Sequence, residues 1–192
     1  MAADCSYNGA MRTFCRTLCL NILCLLAAVP GCLLVAQGRS AAGCPTTATL
    51  TQLTHALDAA VSGPVGKDRS CMRALFAPQA QLTVIAPGAD GAAKLSVMTV
   101  EEWIAHVKAS STPEFYEQQV KVRTERFGHL AHLWSTYVLR LKPDAAPRVR
   151  GINSIQAVRN GGQWQIAGIL WQAETADEKL PAADVPPGTG GR

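Results

Sequence analysis

Beyond residue 44 the sequence has a single cysteine, Cys71, and nowhere in its 192 residues does a Cys-x-x-Cys pair occur. The spacing that builds structural zinc sites is therefore missing, and no metal or other cofactor is expected. Charge is also sparse: 17% of residues are ionic, and the formal net charge is +4. So mild an excess gives no argument for a nucleic-acid partner. Internal repeats are lacking as well. What is present is apolar: hydrophobic residues make up 48% of the chain, enough for one domain with a real core and too many for a chain disordered throughout.

The other six cysteines crowd into the first 44 residues, around an uncharged run at 18–36, "LCLNILCLLAAVPGCLLVA". Arg12 and Arg16 precede it, and small residues follow at Ala36–Gly38 and Ser40–Ala42. A basic entry, an apolar run and a small-residue exit form an export signal. Met11, directly before the basic entry, is an alternative start to Met1. Cleavage near residue 36 is the leading expectation, with a periplasmic or secreted product. A lipid anchor on Cys32 or Cys44, or a retained membrane helix at 18–36, are the alternatives. Membrane contact is expected through this segment alone. After cleavage Cys44 and Cys71 remain, and an oxidising compartment allows them to pair. A buried, unpaired Cys71 is the competing reading.

Composition divides the rest. Residues 37–48 read as a linker, 49–175 as one compact unit, and the Pro- and Gly-rich 176–192 as a disordered tail. Within the unit, Leu50, Leu53, Leu57, Ala60 and Val61 recur at helical spacing. Asp68 can cap a short second helix before Pro78. "QLTVIA" (81–86) is a strand, and 94–98 returns from the turn at 87–92. Thr99 and Glu102 form a capping box for a third helix, which carries Trp103, Ile104 and Val107 and ends before Pro113. Four strand-like runs follow, at about 115–127, 130–142, 149–159 and 163–173. Gly128-His129 and Asn160-Gly161 mark hairpin turns. Helices of this number cover one side of such a sheet, which makes the fold α+β: a curved antiparallel sheet around three N-terminal helices.

This order, with "CMRALFAPQAQLTV", "RTERFGHLAHLWSTY" and "RGINSIQAVRNGGQWQIAGILWQAE", resembles the nuclear transport factor 2-like superfamily, which includes SnoaL-like and ketosteroid isomerase-like proteins. The resemblance spans residues 49–175 and implies a cone with an apolar pocket at its open end. Ketosteroid isomerase-like members use an Asp base near the first strand, a Tyr and a buried acid. Here Val84, Ala86 and Pro87 occupy the base region, and Gln79 stands where many relatives carry Asp. Asp58, Asp68, Asp90 and Asp144 read as helix-face, cap or turn residues, so the family's usual catalytic acids are not found.

The polar stretch 123–140 reads as two strands rather than an inline active site. His129 and His132 are three apart on or beside one strand and face opposite ways, so they make no ligand pair. His132 shares a face with Leu130, Trp134 and Val138. Ala131, Leu133, Tyr137 and Leu139 share the other. Both faces are apolar, and a soluble monomer avoids exposing such a face, so the outer one is expected to form a homodimer interface. Candidates for the pocket are Trp103, Tyr116, Tyr137, Asn153 and Trp171, and a buried Asn153 must find a partner.

Three functions stay open. The leading one is a non-catalytic pocket for a small hydrophobic ligand. The second is a lyase, isomerase or cyclase on a hydrophobic carbonyl compound, using Tyr137, His132 or Asn153. The third is a protein-interaction module with a filled cone.

Overall fold

The computed structural model describes residues 43–88 and 91–185. The stretch expected to be an export signal, half of the linker (37–42), Ala89, Asp90 and residues 186–192 lie outside them.

Three helices precede most of the sheet. Helix α1 (Leu50–Val61) starts at Thr49, whose hydroxyl accepts from the Gln52 N–H while the Gln52 side chain accepts from the Thr49 N–H. That box satisfies two of the donors a helix start leaves open. The apolar spacing puts Leu53, Ala56, Leu57, Ala60 and Val61 on the buried face. Each of the two leucines contributes roughly 2 kcal/mol by leaving water. Helix α2 (Ser70–Leu75) begins where Asp68 accepts from the Ser70 N–H at 2.8 Å, and helix α3 (Val100–Lys108) opens with the expected Thr99–Glu102 box.

The strands are β1 (Gly63–Pro64), β2 (Phe76–Pro87), β3 (Ala93–Met98), β4 (Glu114–Phe127), β5 (Leu130–Arg140), β6 (Val149–Asn160) and β7 (Gln163–Ala173). They form one curved, unclosed sheet in the order β1-β4-β5-β6-β7-β2-β3, an α+β cone. The hairpins fall where the turn residues predict. Gly128 has φ 55°, and Gly161 and Gly162 have φ 55° and 83°. These left-handed values are reached at little cost by glycine and match the twist of the flanking strands.

One junction departs from an all-antiparallel sheet: β2 runs parallel to β7. Its register shifts between Phe76 and Gln81, where Gln79 adopts φ 64°. A bulge there lets one continuous strand leave α2 and still align with β7.

The two flanking segments also differ from expectation. The end of the linker is docked: the Thr47 N–H donates to Gln163 Oε1 at 2.6 Å, and its carbonyl accepts from the Trp164 N–H. Cys44 and Cys71 form a disulfide, Cα–Cα 5.3 Å, tying this lead to α2. The tail is not disordered from residue 176. Up to Val185 it lies against the outer sheet face as a strap ending in a 3-10 turn, Ala182–Asp184. The Asp184 carboxylate, 4% exposed, accepts from Trp134 Nε1 and pairs with Arg123, and its carbonyl accepts from the Thr136 hydroxyl at 2.7 Å. A Pro- and Ala-rich segment has little core-forming power of its own. Here one buried carboxylate with two partners, together with the carbonyl of the same residue, holds it.

Candidate functional site

Strand register places the inner face of the sheet in rows. Nearest the β5–β6 hairpin, Glu117, Leu139 and Val149 are neighbours. The next row is Gln119, Tyr137 and Gly151, and the one beyond is Ser135, Asn153 and Trp171. Deeper still, Leu133, Ile155 and Ile169 belong to the packed core. Helices α1, α2 and α3 bring Leu57, Val61, Met72, Trp103 and Val107 over these rows. Between them is an open cavity of about 440 Å³, within the range of pockets that take small organic molecules.

Its walls are mainly apolar, and the polar groups gather on one side. Asn153, 2% exposed, donates from Nδ2 to Glu117 Oε1 and to Gln119 Oε1, each at 3.1 Å. Gln119 Nε2 donates to the same Glu117 oxygen at 3.0 Å, and the Ser135 hydroxyl donates to Gln119 Oε1. This network uses one oxygen of Glu117 and leaves Oε2, with Asn153 Oδ1, without a hydrogen-bond partner among the described residues. Neither is a sealed orphan in the interior, and both residues line the cavity.

The position of Glu117 follows from a gap in the sheet. Strand β1 pairs with β4 only at Glu114 and Phe115. The next free N–H groups on that edge turn to α1 and its end instead. Glu117 N–H donates to Ser62 Oγ at 2.8 Å, the Ser62 hydroxyl donates back to the Glu117 carbonyl, and Gln119 N–H donates to the Asp58 carboxylate. Backbone groups at a buried edge need such partners.

Desolvation by burial raises the Glu117 carboxyl to about 7. The Asp58 charge pushes the same way, against hydrogen bonds from Asn153 and Gln119. Asp58 is raised to about 6, again by burial, against the N–H of Gln119. Tyr137 is shifted upward by burial and by the charge of Glu117. At neutral pH Glu117 can therefore either accept a proton or give one.

Of the sequence candidates, Trp103, Asn153 and Trp171 line the cavity. Tyr137 lies behind it: its ring fills the space beside Gly151, where a Cβ would stand 2.6 Å from the ring and 2.2 Å from the Gln172 carbonyl. Tyr116 points away, its hydroxyl donating to Glu114 at 2.8 Å. His132 is on the outer face, its Nε2 3.1 Å from the Ser154 hydroxyl. Glu117, which also lines the cavity, is not among the sequence candidates. The alternation Phe115, Glu117, Gln119 is legible, but β4 is polar on both faces, so the pattern did not say which side was inward. Asp58 is likewise more than a helix-face residue, since α1 turns it to the free edge of β4. Among the described residues no group of His, Cys, Asp and Glu is arranged to hold a metal ion, and no helix is long and apolar enough to cross a membrane.

No family model matches this sequence, and no curated protein matches it. Solved structures do. A protein of unknown function with a cystatin-like fold from Nostoc punctiforme aligns over 66% of this chain and 89% of its own, with TM-score 0.51 and 12% identity. An NTF2-like protein of unknown function from Shewanella baltica aligns over 66% and 91%, with TM-score 0.48 and 13% identity. One from Silicibacter pomeroyi aligns over 66% and 94%, with TM-score 0.46 and 19% identity. The fold is the curved α+β cone that the element order implied, and the Nostoc protein shares it. Likeness at this identity concerns the fold, which hosts unrelated functions.

Proposed function

We propose that this is an exported protein whose cone holds a small, mostly apolar ligand, without turnover, anchored at its inner end by Glu117 and Asn153. The observation that carries the reading is the apolar cavity with two unpartnered oxygens, Glu117 Oε2 and Asn153 Oδ1, on its wall. A ligand hydroxyl could donate to either, and a ligand carbonyl could accept from protonated Glu117. A filled cone, which a pure interaction module would favour, is not what the side chains build. The Cys44–Cys71 bridge supports export, because such bonds persist in oxidising compartments. Exposed Leu95, Val97 and Leu170 on the outer face support a homodimer, with the strap limiting the interface to that side of the sheet.

A second reading is favoured by one property, the raised proton affinity of Glu117. A carboxyl near 7 in an apolar cavity suits general acid–base work on a hydrophobic carbonyl compound. Glu117 and Asn153 would then act, with Tyr137 too far back to touch the substrate.

Native mass spectrometry on protein purified from the periplasm of an exporting host tests both. The expected species is a dimer carrying a retained apolar molecule. If wild-type protein converts that molecule and E117Q does not, the enzyme reading replaces the binding one. A ligand-free monomer overturns the proposal.

A further inference from the structure

The cavity has a charge at its mouth as well as polar groups within. Arg148 lines it where the β5–β6 hairpin closes, and its backbone N–H donates to the Leu139 carbonyl at 2.8 Å. Its guanidinium has no ion pair or hydrogen bond among the described residues. His106, from α3, lines the same opening, and Glu117 is the one carboxylate among the lining residues. Arg148 directly precedes β6 and Asn153 is five positions further on, about 16 Å at strand rise; Glu117 starts from the row nearer the hairpin, and its carboxyl reaches inward to Asn153. The two ends are joined by apolar wall: Leu139, Leu141, Val149 and Trp171.

We infer that the ligand class is an amphipathic carboxylic acid, with its carboxylate on Arg148 at the mouth and a hydroxyl or carbonyl at the far end of its apolar body on Glu117 and Asn153. This rests on the ligand-binding reading above. An unpaired guanidinium on an apolar rim selects for an anion, since a planar fork matches a carboxylate in two contacts. The same rim selects against a cation. At the other end a second anion is excluded, because it would face Glu117 in a poorly solvated site. The class therefore carries one negative charge, at the outer end. Its body must be apolar throughout, as the wall between offers no further ionic partner.

Isothermal titration calorimetry of the full protein separates the parts, using 10-hydroxydecanoate, decanoate, 1,10-decanediol and the neutral dye Nile red. The acid with the distal hydroxyl is expected to bind about tenfold more tightly than either the diol or decanoate, the size of one charge-assisted or one buried hydrogen bond. R148A should remove the advantage over the diol. R148E should further weaken the acid and favour 10-amino-1-decanol. Arg148 is exposed, so these variants keep the fold. E117Q and N153A should each narrow the advantage over decanoate. If the diol binds as well as the acid, or R148A leaves the preference intact, the inference falls and the apolar pocket stands. If no probe binds, Nile red included, the pocket reading falls with it.

Discussion

At the scale of single residues, the interior of this protein holds ionisable groups where an apolar core is the cheaper choice. Arg69 is 4% exposed and has no carboxylate partner among the described residues. Its guanidinium donates to the carbonyls of Val61, Pro64, Val65 and Lys67 and lies about 6 Å from the ring centres of Trp103 and Phe115. It closes the turn between α1 and α2 against the sheet. Glu117 and Asp58 are a different case, because burial raises both above their ordinary values. An acid whose folded pKa is raised favours the folded state fully while it is protonated in both states. That contribution is lost as pH rises through the folded value. Stability should therefore fall between about pH 4 and pH 7 and then level off. Asp68, Glu101 and Glu102 are shifted downward by hydrogen bonds, so they act below pH 4.5 and leave this window alone. Urea unfolding midpoints at pH 5 and pH 8 should differ by the equivalent of a few kcal/mol. Most of that difference should vanish in E117Q; an unchanged slope would show that Glu117 is not the group responsible.

At the scale of elements, the disulfide is the feature easiest to test. It closes a loop across a sequence separation of 27 residues, and the loss of chain entropy in the unfolded state corresponds to roughly 3 kcal/mol. Reduction, or C71S, should lower the thermal midpoint by several degrees and free the Thr47 contacts with β7. Equal midpoints with and without reductant would refute this. Elements with local causes were legible in the sequence. The Thr99–Glu102 box, the glycines at 128, 161 and 162, and the apolar spacing of α1 each act through a few neighbours. What was not legible depends on distant partners. Strand β1 exists because Gly63 meets Phe115, and the parallel run of β2 exists because β7 is there to receive it. Glu117 became a site residue through contacts with Asn153, 36 positions away. Trp103, which lines the same cavity, could be placed from helix periodicity alone.

At the scale of the whole described unit, the strap changes what the outer face can do. Apolar residues on both faces of β5 implied an open surface, yet Val138 and Thr136 are fully buried and Trp134 is half-covered. Arg150 and Glu174 pin the strap's start at 2.8 Å, and Asp184 pins its end. D184A should loosen residues 176–185 without unfolding the sheet. Limited proteolysis should then cut near Lys179, and Trp134 fluorescence should shift to the red. Uncut, spectrally unchanged protein would show that the rest of the strap holds without this carboxylate. The loss of stability should be roughly 2 kcal/mol, the scale of a few buried polar contacts.

The parallel pairing of β2 with β7 has a kinetic side. Val84 and Trp171 are partners although most of the chain's length in this unit separates them. Strand β2 has β3 for company early, but the wall that joins it to the rest of the sheet is the last strand to leave the ribosome. Non-local closure of this kind is slow, and although α1 packs mainly on β4 and α2, the core residues of β7 join them only then. A chain whose final strand completes its core remains pliable through most of its synthesis.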